Sequence, residues 1–218
     1  TPKQIQNHAN EGGSANLEHD EDRASFNSLV HVVSDTYALA YTSHGEDGFI
    51  STFTISSSGV ITPIQIQNHA NTTEPDDVAN LEHDDDHGQY NSLVQVNSNT
   101  IALAYAGTND DGFISTFTIS SSGVITPIQI QNHAVKGGSA NIEHDEERGM
   151  ENSLVQVNSN TYALAYEGLD RDGYISTFTI SSSGAITPIQ IQNHANTSEP
   201  DDVANLEHDD ERGSFNSL

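Results

Sequence analysis

The sequence contains no cysteine and no tryptophan, and only 6 of its 218 residues are Lys or Arg. Without thiols there are no disulfides and no thiolate metal sites, so rigidity must come from packing, hydrogen bonds or cations held by oxygen and imidazole. The cationic residues Lys3, Arg23, Lys136, Arg148, Arg171 and Arg212 stand against 32 carboxylates, for a formal net charge of −26. A field of that sign repels phosphate backbones and anionic lipid surfaces, which argues against nucleic acid as a partner and against membrane association. No apolar run approaches the ~20 residues of a spanning helix, so no membrane insertion is expected, and no signal peptide is visible. The chain opens in mid-repeat, which leaves room for a leader upstream.

What is present is repetition. The stretch DGFISTFTISSSGVITPIQIQNHA runs from Asp47 to Ala70 and recurs unchanged from Asp111 to Ala134. A third copy, Asp172 to Ala195, differs only at Tyr174 and Ala185. Pro2, Pro63, Pro127 and Pro188 mark the period, with spacings of 61, 64 and 61 residues. The alternation arises in the arm between copies, which is short at 10–26 and 135–151 and long at 71–90 and 196–215. A pair of repeats 125 residues long is therefore the duplicated unit, and such an array folds as one quasi-continuous object.

Although only 33% of residues are apolar, they fall in tight periodic runs. SLVQV (Ser92–Val96), YALAY (Tyr162–Tyr166), FISTFTI (Phe113–Ile119) and ITPIQIQ (Ile125–Gln131) are short, β-branched or aromatic, and separated by turn residues. Asp-Gly and Ser-Gly are expected to supply the positive φ angles of tight hairpins. Four sequential antiparallel strands per unit make a meander. Tyr162, Leu164 and Tyr166 share one side of their strand, with Ala163 and Ala165 on the other; Phe113, Phe117 and Ile119 likewise oppose Ile114, Thr116 and Thr118. Both faces are then apolar or small, as in a sheet held between neighbours. The fourth strand sets Ile128 and Ile130 against Gln129 and Gln131, with Pro127 near its start, the pattern of an edge.

Read from NSLVQV, the order strand, turn, strand, Asp-Gly turn, strand, Ser-Gly turn, strand and His-bearing connection resembles the blades of WD-repeat propellers. Asp172-Gly173-Tyr174-Ile175 is similar to the Asp-Gly-x-Ile that opens that family's third strand, and Asn80–Asp84 lies where its Gly-His dipeptide sits. The Trp-Asp signature is absent, and the unit is about twenty residues longer than the ~40–45 of that family. The chain also resembles acidic microbial repeat proteins of the SLVQV…YALAY…DGxIxTF type, a likeness that brings no activity with it. The resemblance implies an all-β, β-propeller-type array of four-stranded antiparallel meander blades. About three and a half blades are present: a partial blade at 1–27, blades at 28–90, 91–151 and 152–215, and the start of another at 216–218. Closed propellers have ~4–8 blades, so the expected partners are other copies or further repeats of the same chain.

Of the 32 carboxylates, 24 lie in the four arms. Each arm carries Glu-His-Asp: Glu18, His19 and Asp20; Glu82, His83 and Asp84; Glu143, His144 and Asp145; Glu207, His208 and Asp209. A second histidine, at His8, His69, His133 and His194, precedes each arm. Clustered carboxylates suit a hard cation such as Ca²⁺, and imidazole with carboxylate suits Zn²⁺ or Mn²⁺. The alternative is that the His-Asp pairs fix the arm within the fold while the remaining acids form a solvated face. An extended Glu-His-Asp places His opposite both acids, which counts against a three-ligand site. A second acidic loop precedes each Asp-Gly. Asp47, Asp111 and Asp172 recur there, and Asp170 with Asp172 alone spaces carboxylates as a calcium loop does; a turn-forming Asp is the competing role. Tyr37, Tyr41, Tyr105, Tyr162 and Tyr166 are either sugar-stacking platforms or core. No catalytic residue is nominated.

Corresponding loops are nearly identical, whereas catalysis needs different groups converging on one centre. The expectation is a non-enzymatic, multivalent binding or structural scaffold, exported to the cell surface or beyond, with Ca²⁺ as the possible ion. Two alternatives stand beside it: a lectin or adhesin taking glycans between blades, or part of an enzyme whose site lies in a channel formed elsewhere. Surface proteins and glycans are the corresponding partners.

Overall fold

The computed structural model describes residues 19–20, 24–64, 80–84, 87–128, 141–189 and 205–209. They form three antiparallel sheets of five strands each. The first contains β1 (Ser25–Val33), β2 (Thr36–Thr42), β3 (Gly48–Ile55), β4 (Ile61–Pro63) and β5 (Asn80–Asp84). The second contains β6 (Gln89–Asn97), β7 (Thr100–Ala106), β8 (Gly112–Ile119), β9 (Ile125–Pro127) and β10 (Asn141–Asp145). The third contains β11 (Met150–Gln156), β12 (Thr161–Glu167), β13 (Gly173–Ile180), β14 (Ile186–Pro188) and β15 (Asn205–Asp209). Among the described residues the helical pieces are three-residue 3₁₀ turns at His44–Glu46, Thr108–Asp110 and Leu169–Arg171. None of the described helices is long and apolar enough to cross a membrane.

Each sheet is the expected meander with an addition. The fourth strand is shorter than the sequence implies: in the second sheet β9 pairs only Phe117–Ile119 of β8, through Pro127, Thr126 and Ile125. The N-terminal half of the eight-residue β8 would be left with bare backbone donors and acceptors, which a buried strand does not tolerate. The chain returns after the arm and fills that gap with β10, pairing Asn141 with Ser115, Ile142 with Ile114 and Glu143 with Phe113. β5 does the same for β3, and β15 for β13. The Asn-Leu/Ile-Glu-His-Asp segment is thus a fifth strand rather than part of a solvated arm. Residues 129–131, expected to extend β9, lie outside the described residues.

The faces follow the alternation. Val32, Ala38, Ala40 and Ile50 of the first sheet pack on Leu93, Ile101, Leu103, Tyr105, Phe113 and Phe117 of the second. Its small side, Ala102, Ala104 and Ile114, packs in turn on Leu154, Tyr162, Leu164, Tyr166 and Phe178 of the third. Each junction sets the Ala/Val side of one sheet against the Tyr/Leu/Phe side of the next, so bulk meets small, as close packing favours. A fully buried Leu or Ile there contributes about 1.5–3 kcal/mol. The first strands lie side by side, β1 on β6 and β6 on β11. Leu93 N–H donates to Ser28 Oγ at 2.9 Å, and Leu154 N–H to Ser92 Oγ at 2.9 Å. Farther out, the Thr52 hydroxyl donates to Gly123 O at 2.7 Å and the Thr116 hydroxyl to Gly184 O at 2.7 Å.

The turns follow the sequence only in part. Gly59, Gly123 and Gly184 of the Ser-Gly turns have φ of 82°, as their hairpins require. The Asp-Gly glycines do not: Gly48, Gly112 and Gly173 are the first residues of extended strands. Left-handed backbone falls earlier in the loop, on Gly45 and Glu46, on Asn109 and Asp110, and on Asp170 and Arg171. The recurring glycine after Asp needs another explanation, and the neighbouring histidine supplies it.

Candidate functional site

The tripeptides Glu82-His83-Asp84 and Glu143-His144-Asp145 lie where two sheets meet. In β5, Leu81 pairs with Ile50 and faces the second sheet, and Glu82 pairs with Phe49 on the opposite face. The register then slips between Phe49 and Gly48, so that His83 and Asp84 share the space opposite one residue. Such a bulge re-aims side chains. It undoes the strict alternation that would separate His from Asp, and both reach the adjacent sheet. β10 repeats the shift between Glu143 and Asp145.

His83 is 7% exposed and meets Tyr105 of the next sheet edge-on, with ring centroids 4.7 Å apart. His144 meets Tyr166 at 4.8 Å, and His19 meets Tyr41 at 4.7 Å. Behind each tyrosine a second ring stacks at 5.6–5.9 Å: Phe113 on Tyr105, Tyr174 on Tyr166 and Phe49 on Tyr41. The other side of the imidazole rests on the Asp-Gly glycine. A Cβ on Gly48 would lie 2.4 Å from His83 Cε1 and 2.8 Å from the Cα of Gly88. On Gly112 it would lie 2.4 Å from His144 Cε1 and 2.9 Å from the Cα of Gly149. Glycine is therefore dictated here by close approach rather than by turn conformation.

The aspartates hold the chain that leaves the strand. Asp84 Oδ1 accepts from His87 N–H at 3.0 Å, and Asp145 Oδ1 accepts from Glu147 and Arg148 N–H at 3.0 and 2.9 Å. The returning chain is then pinned to the loop of the sheet it leaves, with Gly88 N–H on Glu46 O at 2.9 Å and Gly149 N–H on Asp110 O at 2.7 Å. Burial first, and then the negative charge of Asp84, push the Tyr105 phenol well above its ordinary value; Tyr166 is raised in the same way by burial and Asp145. Burial raises Tyr41, opposed by its hydrogen bond with Ser51 and assisted by Asp20. Burial also lowers the His83 imidazole to about 3, with the Asn91 side chain acting the other way. At neutral pH the Tyr105 phenol and the His83 imidazole are both neutral, beside Asp84. A base with a pKa of about 3 sits too far from neutrality to serve well in proton transfer.

The remaining candidates are dispersed. Glu18 and the NHA histidines His8, His69, His133 and His194 lie outside the described residues. Of Glu207, His208 and Asp209 the strand backbone alone is described, with Glu207 paired to Tyr174 and Asp209 to Gly173. Asp47, Asp111 and Asp172 close their loops, their carbonyls accepting from Ser43, Gly107 and Gly168 N–H at 2.8–2.9 Å. Asp170 is exposed, at a left-handed φ of 56°. Among the described residues no three His, Asp or Glu side chains converge as metal ligands would. Tyr41, Tyr105, Tyr162 and Tyr166 are fully buried core residues, and Tyr37 is half-buried.

Sequence reasoning did not single out Arg148 as a structural residue. Its Nε donates to Glu167 Oε1 at 2.9 Å and its guanidinium pairs with the same oxygen, across the second junction. Glu167 is 4% exposed. At the first junction the corresponding positions are His87 and Ala106, and His87 Nε2 lies 3.5 Å from Glu46 Oε2 instead. The contrast between His87 with Ala106 and Arg148 with Glu167 in these two copies is the signal that was available. No family model matches this sequence, and no curated protein matches it either.

Proposed function

We propose that the chain is a non-enzymatic structural scaffold, a propeller-type fan of meander blades whose repeated surface serves multivalent contact. The observation that carries this reading is the recurrence of one His–Tyr contact, with ring separations of 4.7, 4.7 and 4.8 Å in three successive copies. Among the described residues, His83 and His144 are both consumed in joining sheets. The fan arrangement is supported by the adjacency of the first strands and by the Ser28–Leu93 and Ser92–Leu154 bonds between them. Identical modules presenting identical surfaces gain avidity through effective concentration rather than through any single strong site. The net charge of −26 gathers cations around such a surface by its field.

Stability measurements on His83→Ala, His144→Ala and the double variant test the reading. Parts of a scaffold lose stability when truncated, and separate junctions add; residues kept for a reaction or a ligand are often neutral or stabilising when removed. Both single losses are expected to be clear and the double loss close to their sum. A variant as stable as the parent, or more so, would overturn the proposal.

A further inference from the structure

Near its start, the first strand of each sheet carries a bulge. Phe26 and Asn27 together stand opposite Tyr41, Tyr90 and Asn91 opposite Tyr105, and Glu151 and Asn152 opposite Tyr166. The first residue of each bulge has left-handed backbone, with φ of 50°, 52° and 52°, where glycine is the residue of least cost. The second is the asparagine that closes the bulge: Asn91 Nδ2 donates to Gly88 O at 3.0 Å, and Asn152 Nδ2 to Gly149 O at 2.7 Å. Asparagine suits its place, whereas a large side chain ahead of it is strained. Phe26, Tyr90 and Glu151 are each only half-buried, so full burial in the core does not offset that strain. A bulge re-aims side chains, and here it turns these three out of the junctions.

The three positions form a row, because β6 runs between β1 and β11. Tyr90 rests on Phe26, with ring centroids 4.3 Å apart and planes tilted by 47°, and Glu151 is its counterpart on the β11 side. Burial raises the Tyr90 phenol, Glu151 and Asp110 raise it further, Arg148 opposes them and Glu167 adds to them. A half-exposed aromatic ring thus stands among three carboxylates and one guanidinium, and that guanidinium is engaged by Glu167. Aromatic faces attract cations through their quadrupole, and the surrounding acids act in the same direction. An anion would be repelled, and an apolar partner would desolvate the acids without pairing them.

We propose that the Phe26–Tyr90–Glu151 row receives a basic segment of a partner protein, with an Arg or Lys side chain lying on the Tyr90 ring and its charge toward Glu151. The chain's net charge of −26 steers such a partner to the surface. Contact of this kind fills the multivalent role proposed above, yet it does not rest on the histidine junctions. Failure to bind and failure of the histidine variants are therefore separate results.

The probe is the peptide acetyl-Gly-Arg-Gly-Arg-Gly-amide, with a citrulline counterpart of the same shape and no charge. Each is titrated into the whole chain at ~0.15 M NaCl, where exposed charges are screened beyond ~8 Å, and the tyrosine ring resonances are followed by NMR. The Tyr90 signal is identified by its loss in Tyr90→Leu. The arginine peptide is expected to shift that signal and the citrulline peptide to leave it unmoved. Tyr90→Leu keeps every charge, so attraction by the field alone would survive it; a contact with the ring weakens about fivefold. Tyr90→Phe, the residue found at Phe26, is expected to bind as the parent does, and Glu151→Gln to bind about fivefold more weakly. Far-UV circular dichroism verifies the fold of each variant, and the citrulline and Glu151→Gln arms decide the matter if Tyr90→Leu does not fold. No shift up to ~10 mM peptide, past the weak end of specific binding, would overturn the proposal. So would citrulline binding as tightly as arginine, or Tyr90→Leu or Glu151→Gln binding as tightly as the parent.

Discussion

Acid should weaken this fold through His83 before it protonates the carboxylates. In the unfolded chain the imidazole takes a proton below its ordinary 6.5; in the folded chain burial between Gly48 and Tyr105 delays that to about 3. Between those values the unfolded state binds more protons than the native state, so stability falls as pH falls. The slope approaches about 1.4 kcal/mol per pH unit for one such group. Worked through the linkage relation, this one residue removes about 2 kcal/mol between pH 8 and pH 5, and the loss levels off only as pH approaches 3. Above pH 5 most carboxylates remain ionised, so the window isolates histidine.

The assay is urea unfolding followed by far-UV circular dichroism at half-unit steps from pH 8 to pH 5, for the parent and for His83→Phe. Phenylalanine keeps a planar ring against Tyr105 and has no proton to take. Its slightly different size shifts absolute stability at every pH alike, so only the slope matters. The two curves are expected to converge, or to cross, by about 2 kcal/mol over this range. Parallel curves would show that His83 takes its proton without unfolding, and would refute its burial as a neutral ring.

Gly48→Ala places a methyl group 2.4 Å from the His83 ring and 2.8 Å from the Gly88 backbone, and should destabilise by about 1–3 kcal/mol as overpacking does. Urea midpoints at pH 7.5 will measure this, with no loss refuting the close approach. Leu93→Ala should cost about 2–5 kcal/mol, while Leu29→Ala, at a site 58% exposed, stays within about 0.5 kcal/mol, although the two leucines occupy the same place in the repeat; equal losses would contradict the sheet stacking. Arg148→Ala strands the buried Glu167 carboxylate and should cost about 3–5 kcal/mol. Arg148→His with Glu167→Ala imports the His87 and Ala106 of the first junction and should recover most of that loss, as thermal melts of both variants will show.

Much of the fold was legible because strand alternation is a local property. Tyr105 and Leu103 facing one way and Ala102 and Ala104 the other predict a sheet with two covered faces, and that is how they pack. The fifth strand was not legible in the same way. Asn-Leu-Glu-His-Asp has little β propensity, and its place is set by what β3 and β8 lack along one edge once β4 and β9 stop at Pro63 and Pro127. That is a tertiary demand on backbone hydrogen bonding, and no property of the five residues announces it. The role of the Asp-Gly glycine was hidden for a related reason. Turn chemistry and close approach both select glycine, and only the position of the His83 ring separates the two. The bulge that brings His83 and Asp84 to one junction likewise leaves no mark in a strict two-residue period.

Near-identical repeats raise a problem of order that the junctions resolve. Because the Tyr/Leu side of each described sheet complements the Val/Ala side of any other, burial alone assigns no sheet its neighbour, and mispaired or exchanged arrangements cost little in apolar area. Two things discriminate. The arm carrying His83 or His144 belongs by backbone pairing to one sheet and by its ring to the next, so the covalent chain itself enforces sequence order. The second is the pair of side chains that differs between copies. Arg148 finds Glu167 at one junction, whereas at the other His87 faces Ala106 and turns to Glu46. Bringing Glu167 against the His87 arm would bury a carboxylate without its guanidinium, and bringing Ala106 against Arg148 would remove the acid that neutralises it. The first error strands a buried charge, a penalty of about 3–5 kcal/mol, which is enough to separate correct from incorrect order where the apolar surfaces cannot; the partly exposed Arg148 makes the second error cheaper.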